Sequence, residues 1–257
     1  MKENIKQYLF QIEKERNIKI LWACETGSRA WGFPSTDSDY DVRIIYTHKT
    51  DWYLSLNNKK DSIDIMLENN NIDISGWELK KSLNLLKKSN AAMFERIQST
   101  IVYDEDAGFI LELGAIAKPF YSKIATMHHY LSMAKKGIED LESKEDFKLK
   151  KFFYTLRAAS VCRWILEKDE VPPIEFSKVY NNLQLSQKII NRIEELTAIK
   201  SKVKETYFHN GEAALVDFIK GCIAESEAQK NTLPTSKGDM DALNNLFRKY
   251  IYKYNDY

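Results

Sequence analysis

The strand-like spacing of apolar residues nearly disappears beyond about residue 107 of this chain of 257 residues. Before about residue 107, segments alternate apolar and polar side chains with the period of two typical of β-strands, at 17–24, 40–46, 61–67 and 71–75. A helical spacing precedes them at 3–16, and helical spacing returns in later segments, at 109–117, 122–141, 146–167, 186–207, 212–228 and 239–253. The sequence therefore predicts an α+β fold, with a small mixed-sheet domain at 1–106 followed by an all-α helical domain at 107–257.

Local signals refine two of these boundaries. The segments 61–67 and 71–75 are separated by an Asn-rich turn, which predicts a β-hairpin. The string Ser75-Gly-Trp-Glu78 has the spacing of a capping box, and it predicts that a helix begins just after the fourth strand.

Composition narrows the class of protein. Lys and Arg number 38 against 37 Asp and Glu, a net charge of +1, so a polyanionic partner must be bound by a local patch. No apolar run approaches the ~20 residues that span a bilayer, and the first residues lack a signal-peptide pattern. The three cysteines, Cys24, Cys162 and Cys222, are far apart, as expected of reduced core residues. These features predict a cytoplasmic protein with no membrane partner.

The most informative segment begins with a turn after the first strand. Gly27-Ser28 follows that strand directly. Glycine lets the backbone approach a ligand closely, and N–H groups at the start of a short helix, together with the Ser28 hydroxyl, can bind phosphate oxygens. Arg29 adds a cation beside them. We therefore expect a phosphate-binding turn here, although a Gly-Ser pair after a strand is also typical of an ordinary turn.

The second strand begins with two carboxylates. Side chains alternate along a strand, so Asp39 and Asp41 share a face, with Arg43 next in the row. Neighbouring carboxylates repel each other unless a cation lies between them. Mg²⁺ prefers one or two carboxylates together with substrate phosphate oxygens, which favours a metal site over a solvated strand edge. The order of strand, Gly-Ser turn and Asp-x-Asp strand is more specific than either motif alone.

These residues carry a family resemblance. Gly27-Ser28 followed by Asp39-Tyr-Asp41-Val42 resembles the signature of the DNA polymerase β-like nucleotidyltransferase superfamily. The longer string GSRAWGF with SDYDVR, together with WYLSL at 52–56, DISGWELK at 73–80 and CRWI at 162–165, resembles one branch. That branch is the predicted nucleotidyltransferases associated with RNA ligation and repair. The resemblance covers most of the chain, is most specific at 24–100, and implies a nucleotidyl-transfer domain followed by a helical one.

Members of the superfamily use a third carboxylate on a neighbouring strand. The candidates are Asp61, Asp64, Glu68 and Asp73. Alternation does not decide between Asp64 and Asp73, because both lie between isoleucines. The resemblance favours Asp73, which precedes Ser-Gly-Trp. It then implies that Asp39, Asp41 and Asp73 are the catalytic residues and hold two Mg²⁺ ions, with Mn²⁺ as the alternative metal.

The implied reaction transfers a nucleotidyl group from an NTP, with ATP expected, to an acceptor hydroxyl, and releases pyrophosphate. RNA is the expected acceptor, in repair or end modification. The alternatives are protein adenylylation, as in antitoxin-like relatives, and a non-catalytic module that binds nucleic acid or a partner. Gly27, Ser28, Arg29 and Arg43 are the nucleotide-binding residues expected in the first domain.

The helical half offers a further candidate for nucleotide binding. Lys150, Tyr154 and Arg157 fall at i, i+4 and i+7 on one polar stripe of a helix, and we expect this row to meet triphosphate or base. A solvated helix face is the alternative. The aromatic segment 250–257 has the composition to stack on bases, but docking against the protein or fraying is favoured.

Overall fold

A computed structural model of the chain describes residues 1–69, 71–142 and 146–255. Its helices are α1 (Lys2–Arg16), α2 (Gly27–Trp31), α3 (Thr50–Tyr53), α4 (Leu79–Lys87), α5 (Ala91–Gln98), α6 (Ala107–Ala117), α7 (Lys123–Glu142), α8 (Leu149–Glu167), α9 (Phe176–Tyr180), α10 (Gln187–Lys200), α11 (Ala213–Gln229) and α12 (Met240–Lys253). Its strands are β1 (Lys19–Glu25), β2 (Tyr40–Thr47), β3 (Ser62–Leu67), β4 (Ile72–Glu78), β5 (Val102–Glu105), β6 (Asp146–Lys148) and β7 (Phe208–Asn210). Short 3₁₀ turns lie at Lys118–Phe120 and Lys230–Thr232. The predicted α+β class is confirmed.

Five strands form one mixed sheet in the order β3-β4-β2-β1-β5. The predicted hairpin is confirmed, since β3 and β4 pair antiparallel. β1 also pairs antiparallel with β2 and with β5. β2 and β4 are parallel, because the connection between them passes through α3 and β3 and returns the chain in the same direction.

Alternation along the strands places one face of this sheet in a core shared with α1. Helix α1 ends at Asn17, whose left-handed backbone (φ 49°) turns the chain directly into β1. Buried apolar side chains from α1, β1, β2 and β4 then form a common cluster that includes Ile5, Leu9, Ile20, Val42 and Ile74. This core fixes the strands from which the polar residues of the opposite face project.

The predicted capping box is wrong, although a helix does follow the fourth strand. Ser75 is still part of β4, where it pairs with Arg43 of β2 and Asp64 of β3. The helix cap is Glu78 instead, whose carboxylate accepts hydrogen bonds from the backbone N–H groups of Lys80 at 2.7 Å and Lys81 at 3.1 Å. Pairing on both sides keeps Ser75 extended, so β4 runs three residues beyond the predicted end at Ser75.

The described chain divides into two compact units that are discontinuous in sequence. The sheet unit comprises Met1–Gly27, Asp39–Tyr121 and the segment from Ser236 onward. The helical unit comprises Ser28–Ser38 and Ser122–Thr235. The continuous domains 1–106 and 107–257 remain a prediction.

Helix α12 belongs to the sheet unit and docks on α6. Lys249 pairs with Glu112 at 2.7 Å, and Lys253 pairs with Asp106 at 2.5 Å. Tyr250 is buried and packs edge-on against Phe109. The aromatic segment is therefore docked over 250–254, and residues 256–257 lie outside the described part of the chain.

The helical unit is built on α7, α8 and α11, which pack against one another. The prediction that this part is all-α needs one correction, because β6 and β7 form a small antiparallel pair. Three residues per strand are too few to produce a recognisable alternation in sequence. The three cysteines of the chain are free and buried, as predicted. Among the helices of the described residues, none has the length and apolar character needed to cross a membrane.

Candidate active site

Two aspartates meet on the polar face of the sheet. Asp41 on β2 and Asp73 on β4 are direct partners in the parallel ladder, so their side chains project from the same face. Arg43 lies two residues after Asp41 and reaches both: its Nη2 is 2.6 Å from Asp41 Oδ1 and 2.9 Å from Asp73 Oδ2. Its Nη1 also donates to the backbone carbonyl of Asp73 at 3.1 Å. One guanidinium therefore bridges two carboxylates that would otherwise repel each other.

The contact of both carboxylates with one cationic nitrogen tests whether a metal fits here. The oxygens of Asp41 and Asp73 converge on a single point, and carboxylate oxygens are the ligands that Mg²⁺ prefers. Among the described residues, no group of three or more His, Cys, Asp or Glu side chains is arranged to hold a metal ion. Two carboxylates plus substrate phosphates are a common Mg²⁺ set. Asp41 and Asp73 thus fit the metal, on condition that the Arg43 guanidinium leaves this point.

The remaining carboxylates predicted for the site lie elsewhere in the sheet unit. Asp39 is half-buried in the loop before β2, and its role as a ligand stays a prediction. Asp64 projects from β3, one strand further out, with its side chain 65% exposed and hydrogen-bonded to Ser75 at 3.2 Å. Asp61 pairs with Lys81, and Glu68 accepts a hydrogen bond from Tyr8. Of the four candidates for the third carboxylate, Asp73 is the one that the ladder sets beside Asp41.

Gly27 approaches Asp41 so closely that no side chain fits. A Cβ on Gly27 would lie 2.0 Å from Asp41 Oδ2, and the backbone has a φ of +63° that disfavours other residues. The preceding residue, Thr26, donates its N–H to the carbonyl of Asp41 at 2.9 Å. The structure therefore sets the start of the Gly-Ser turn directly against one of the two aspartates.

A buried carboxylate lies behind Asp41. Glu25 is 0% exposed, and one of its oxygens accepts the backbone N–H of Asp41 at 2.8 Å. The other oxygen accepts a hydrogen bond from the hydroxyl of buried Tyr103, and Ser99 donates to the carbonyl of Glu25 at 2.6 Å. Glu25, Tyr103 and Ser99 were not predicted from the sequence. Glu25 could have been recognised because it ends a mainly apolar, buried strand, and a buried carboxylate needs hydrogen-bond partners.

The other residues of the Gly-Ser turn belong to a network within the helical unit. Ser28 is buried, and its hydroxyl lies 3.2 Å from that of Ser38. Ser38 donates to Glu205 Oε1 at 2.9 Å, and Lys150 Nζ donates to Glu205 Oε2 at 2.6 Å. Arg29 donates to the carbonyl of Ser38 at 2.6 Å. Glu205 thus joins the turn to Lys150, and no sequence pattern indicated it.

The predicted row on α8 is only partly exposed. Lys150 and Tyr154 line a cavity of the helical unit. Arg157 is 3% exposed instead: its guanidinium stacks over the ring of Trp31 at 4.5 Å and donates to the carbonyl of Ile174 at 3.2 Å. The prediction that Arg157 extends the polar row is wrong, because helix α8 is buried on nearly every side and its third position in the row faces the interior.

The helical unit also contains a buried lysine. Lys200 is 0% exposed and donates to the hydroxyl of Ser35 at 2.8 Å. Burial lowers the pKa of Lys200 to about 8, and the charge of nearby Lys150 adds to this, whereas Glu205 and Asp37 oppose it.

Comparisons with known proteins place these features in a family. A family model described as "RlaP: RNA repair pathway DNA polymerase beta family" matches residues 1–249. The chain belongs to this family. The resemblance to polymerase β-like nucleotidyltransferases linked to RNA repair is thereby confirmed.

Individual proteins similar to this member of the RNA repair pathway DNA polymerase beta family come from two bacteria. The uncharacterized protein YcgL of Bacillus subtilis (strain 168) is 36% identical over 247 residues, which are 96% of this chain and 95% of that protein. A crystal structure of a nucleotidyltransferase-like protein from Exiguobacterium sibiricum 255-15 is similar over 98% of this chain and 81% of its own, with 9% identity and a TM-score of 0.33.

The chemistry available to this family member follows from the sheet. Asp41 and Asp73 are held by backbone pairing on adjacent strands, so their separation is fixed by the ladder rather than by loops. The cation between them is a side chain with rotatable bonds, and exchange of that cation needs no movement of the sheet.

Proposed function

We propose that this protein is a metal-dependent nucleotidyltransferase that transfers a nucleotidyl group from an NTP to a hydroxyl of RNA. ATP is the NTP that we expect. The observation that carries the proposal is the pairing of Asp41 with Asp73, whose carboxylates converge on one cation beside the Gly27 turn. Membership of a family named for RNA repair supports RNA as the acceptor.

The residues of the sheet unit have distinct roles in this proposal. Asp41 and Asp73 would hold Mg²⁺ or Mn²⁺, with Asp39 as a further ligand, and a metal held there would supply positive charge to the triphosphate and to the departing pyrophosphate. The backbone at Gly27 approaches the phosphates, because no Cβ separates it from Asp41. Arg43, once released from the aspartates, supplies positive charge to the same phosphates.

Asp73 has a second role in the proposed reaction. Its carboxylate accepts the proton of the acceptor hydroxyl as the hydroxyl oxygen bonds to the α-phosphorus. The bond from that phosphorus to the bridging oxygen breaks, and pyrophosphate leaves. Glu25 acts through Asp41, since it accepts the Asp41 N–H and holds that part of the strand in place.

The test is transfer of label from each of the four α-³²P-labelled NTPs, in Mg²⁺, to total RNA and separately to cell protein. We expect labelled RNA, and a loss of rate of about 100-fold or more in Asp41→Asn and Asp73→Asn. Asp64→Asn is the matched control, because it removes the same charge from the next strand, where the side chain is exposed. Labelled protein with unlabelled RNA would show that the acceptor is protein and not RNA. Absence of label in both would refute the transferase proposal.

A further inference from the structure

The helical unit contains a cavity of about 620 Å³ between α7, β6, α8 and the segment before β7. Four lysines line it, Lys136, Lys148, Lys150 and Lys151, against two carboxylates, Asp140 and Glu205. The cavity is therefore a positively charged region in a protein whose overall charge is only +1. Charge of one sign that is concentrated in a concave site marks the place where an oppositely charged ligand accumulates.

The carboxylates neutralise only half of these lysines. Lys150 pairs with Glu205 at 2.6 Å, and Lys151 pairs with Asp140 at 2.9 Å. Lys136 and Lys148 are exposed, and no ion pair between side chains that the structure describes involves either of them. Two ammonium groups on different elements, α7 and β6, thus remain available to an anion.

An aromatic ring lies among these charges. Tyr154 lines the same cavity, is half-buried, and is held at 79° against the ring of Trp31, with 5.0 Å between centroids. Lys150 Nζ lies 5.9 Å from the centroid of the Tyr154 ring. Lysines beside a fixed aromatic ring are the combination that binds single-stranded nucleic acid, because ammonium groups follow the backbone and the ring stacks on a base.

We infer that this cavity binds the phosphodiester backbone of a single-stranded RNA, with Lys136 and Lys148 on phosphates and Tyr154 against a base. The inference rests on the proposed function, in which RNA is the acceptor. In that proposal the triphosphate is bound at Asp41, Asp73 and Gly27, so the lysines of the cavity are left for another phosphate-bearing ligand. Within the helical unit, a network of hydrogen bonds runs from Lys150 of this cavity through Glu205 and Ser38 to Ser28.

The test measures RNA binding without nucleotide, so that it is independent of transfer. Fluorescence anisotropy of a 5′-fluorescein-labelled 12-nucleotide RNA is recorded with the full chain between about 50 and 200 mM salt. We expect Lys136→Ala/Lys148→Ala to bind about tenfold more weakly at low salt, and its slope of log K against log[salt] to be smaller by about 1.4, or about 0.7 for each phosphate contact. The control is Lys178→Ala/Lys188→Ala, which removes two exposed charges of the same unit outside the cavity and leaves affinity and slope nearly unchanged.

A second arm separates RNA from nucleotide as the source of the phosphates. Binding of ATP is measured by calorimetry for the same variants, and we expect Lys136→Ala/Lys148→Ala to bind ATP as the parent does. Loss of ATP binding with RNA binding retained would assign the cavity to the nucleotide and overturn the inference. Equal RNA affinity and slope in the parent and both double variants would overturn it as well, as would a parent that binds no RNA. A protein that binds RNA through these lysines but transfers no nucleotide would instead sustain the inference and refute the transferase proposal.

Discussion

Replacement of Arg43 by glutamine tests whether this guanidinium occupies the place of the metal. In the parent, Arg43 Nη2 lies 2.6 Å from Asp41 and 2.9 Å from Asp73. Since both carboxylate oxygens contact one nitrogen, they lie within about 6 Å of each other, and without the cation their repulsion is about 3 kcal/mol at an effective dielectric constant of about 20. The side chains are 18% to 28% exposed, so solvent screening reduces this to about 1–2 kcal/mol.

This repulsion has two measurable consequences in Arg43→Gln. Without metal, the variant unfolds at lower temperature than the parent, because two like charges are left side by side. With metal, it binds Mg²⁺ or Mn²⁺ about 5- to 30-fold more tightly, because the metal relieves the repulsion and no longer competes with a guanidinium. Calorimetric titration with Mn²⁺ and thermal unfolding across a Mg²⁺ series measure both effects.

The control for this experiment is Arg248→Gln. Arg248 is an exposed residue of α12 that hydrogen-bonds Asn245, so its replacement removes the same charge from the same unit away from the aspartates. Its metal affinity should equal that of the parent. If Arg43→Gln and the parent bind Mn²⁺ equally well, the guanidinium does not compete with a metal at the two aspartates.

Three further predictions concern the support of the site and the helical unit. Gly27→Ala should lower the free energy of unfolding, measured in urea, by about 1–2 kcal/mol and abolish transfer, because its Cβ would collide with Asp41 and its backbone is left-handed. Unchanged activity would contradict the proposed role of the turn. Tyr103→Phe should cost about 1–3 kcal/mol of unfolding free energy, since it leaves an oxygen of buried Glu25 without its donor, and a loss below about 0.5 kcal/mol in urea would argue against that bond. Burial lowers the pKa of Lys200 from 10.5 to about 8, so between these pH values the unfolded chain binds more protons than the folded one. The free energy of unfolding of the parent should therefore increase by up to about 3 kcal/mol as the pH rises through this range. Lys200→Met should remove that rise, as urea titrations from pH 7 to 10 would show.

The first four strands and the first half of the site were predictable because their signals are local. The period of two identifies β1 to β4, and Gly27 and Asp41 are recognisable from their spacing alone. The parallel pairing of β2 with β4 is not local, and the residues themselves left Asp64 and Asp73 as alternatives. The preference for Asp73 came from the family resemblance, and the ladder now shows why that position lies beside Asp41.

Features that depend on distant contacts were not predictable. Glu205 is 167 residues from Ser38, and nothing in its immediate sequence marks it as a partner. Arg157 has the spacing of an exposed residue, but a stacking partner, Trp31, and the carbonyl of Ile174 bury it. Helical periodicity is a property of one helix, and it does not show whether neighbouring elements bury both sides of that helix.

The discontinuity of the sheet unit has a consequence for biosynthesis. Helix α12 contributes Leu243, Leu246 and Tyr250 to the interior. Its lysines pair with Glu112 of α6 and with Asp106, the N-cap of α6, more than a hundred residues earlier. A growing chain that carries both aspartates of the candidate site therefore still lacks part of the unit that holds them. The surface that α12 will cover stays exposed throughout translation of the helical unit, so we expect ribosome-bound chains shorter than about 240 residues to be sensitive to protease and dependent on chaperones. The sheet unit that carries the candidate site becomes complete only when residues 240–253 have been synthesised.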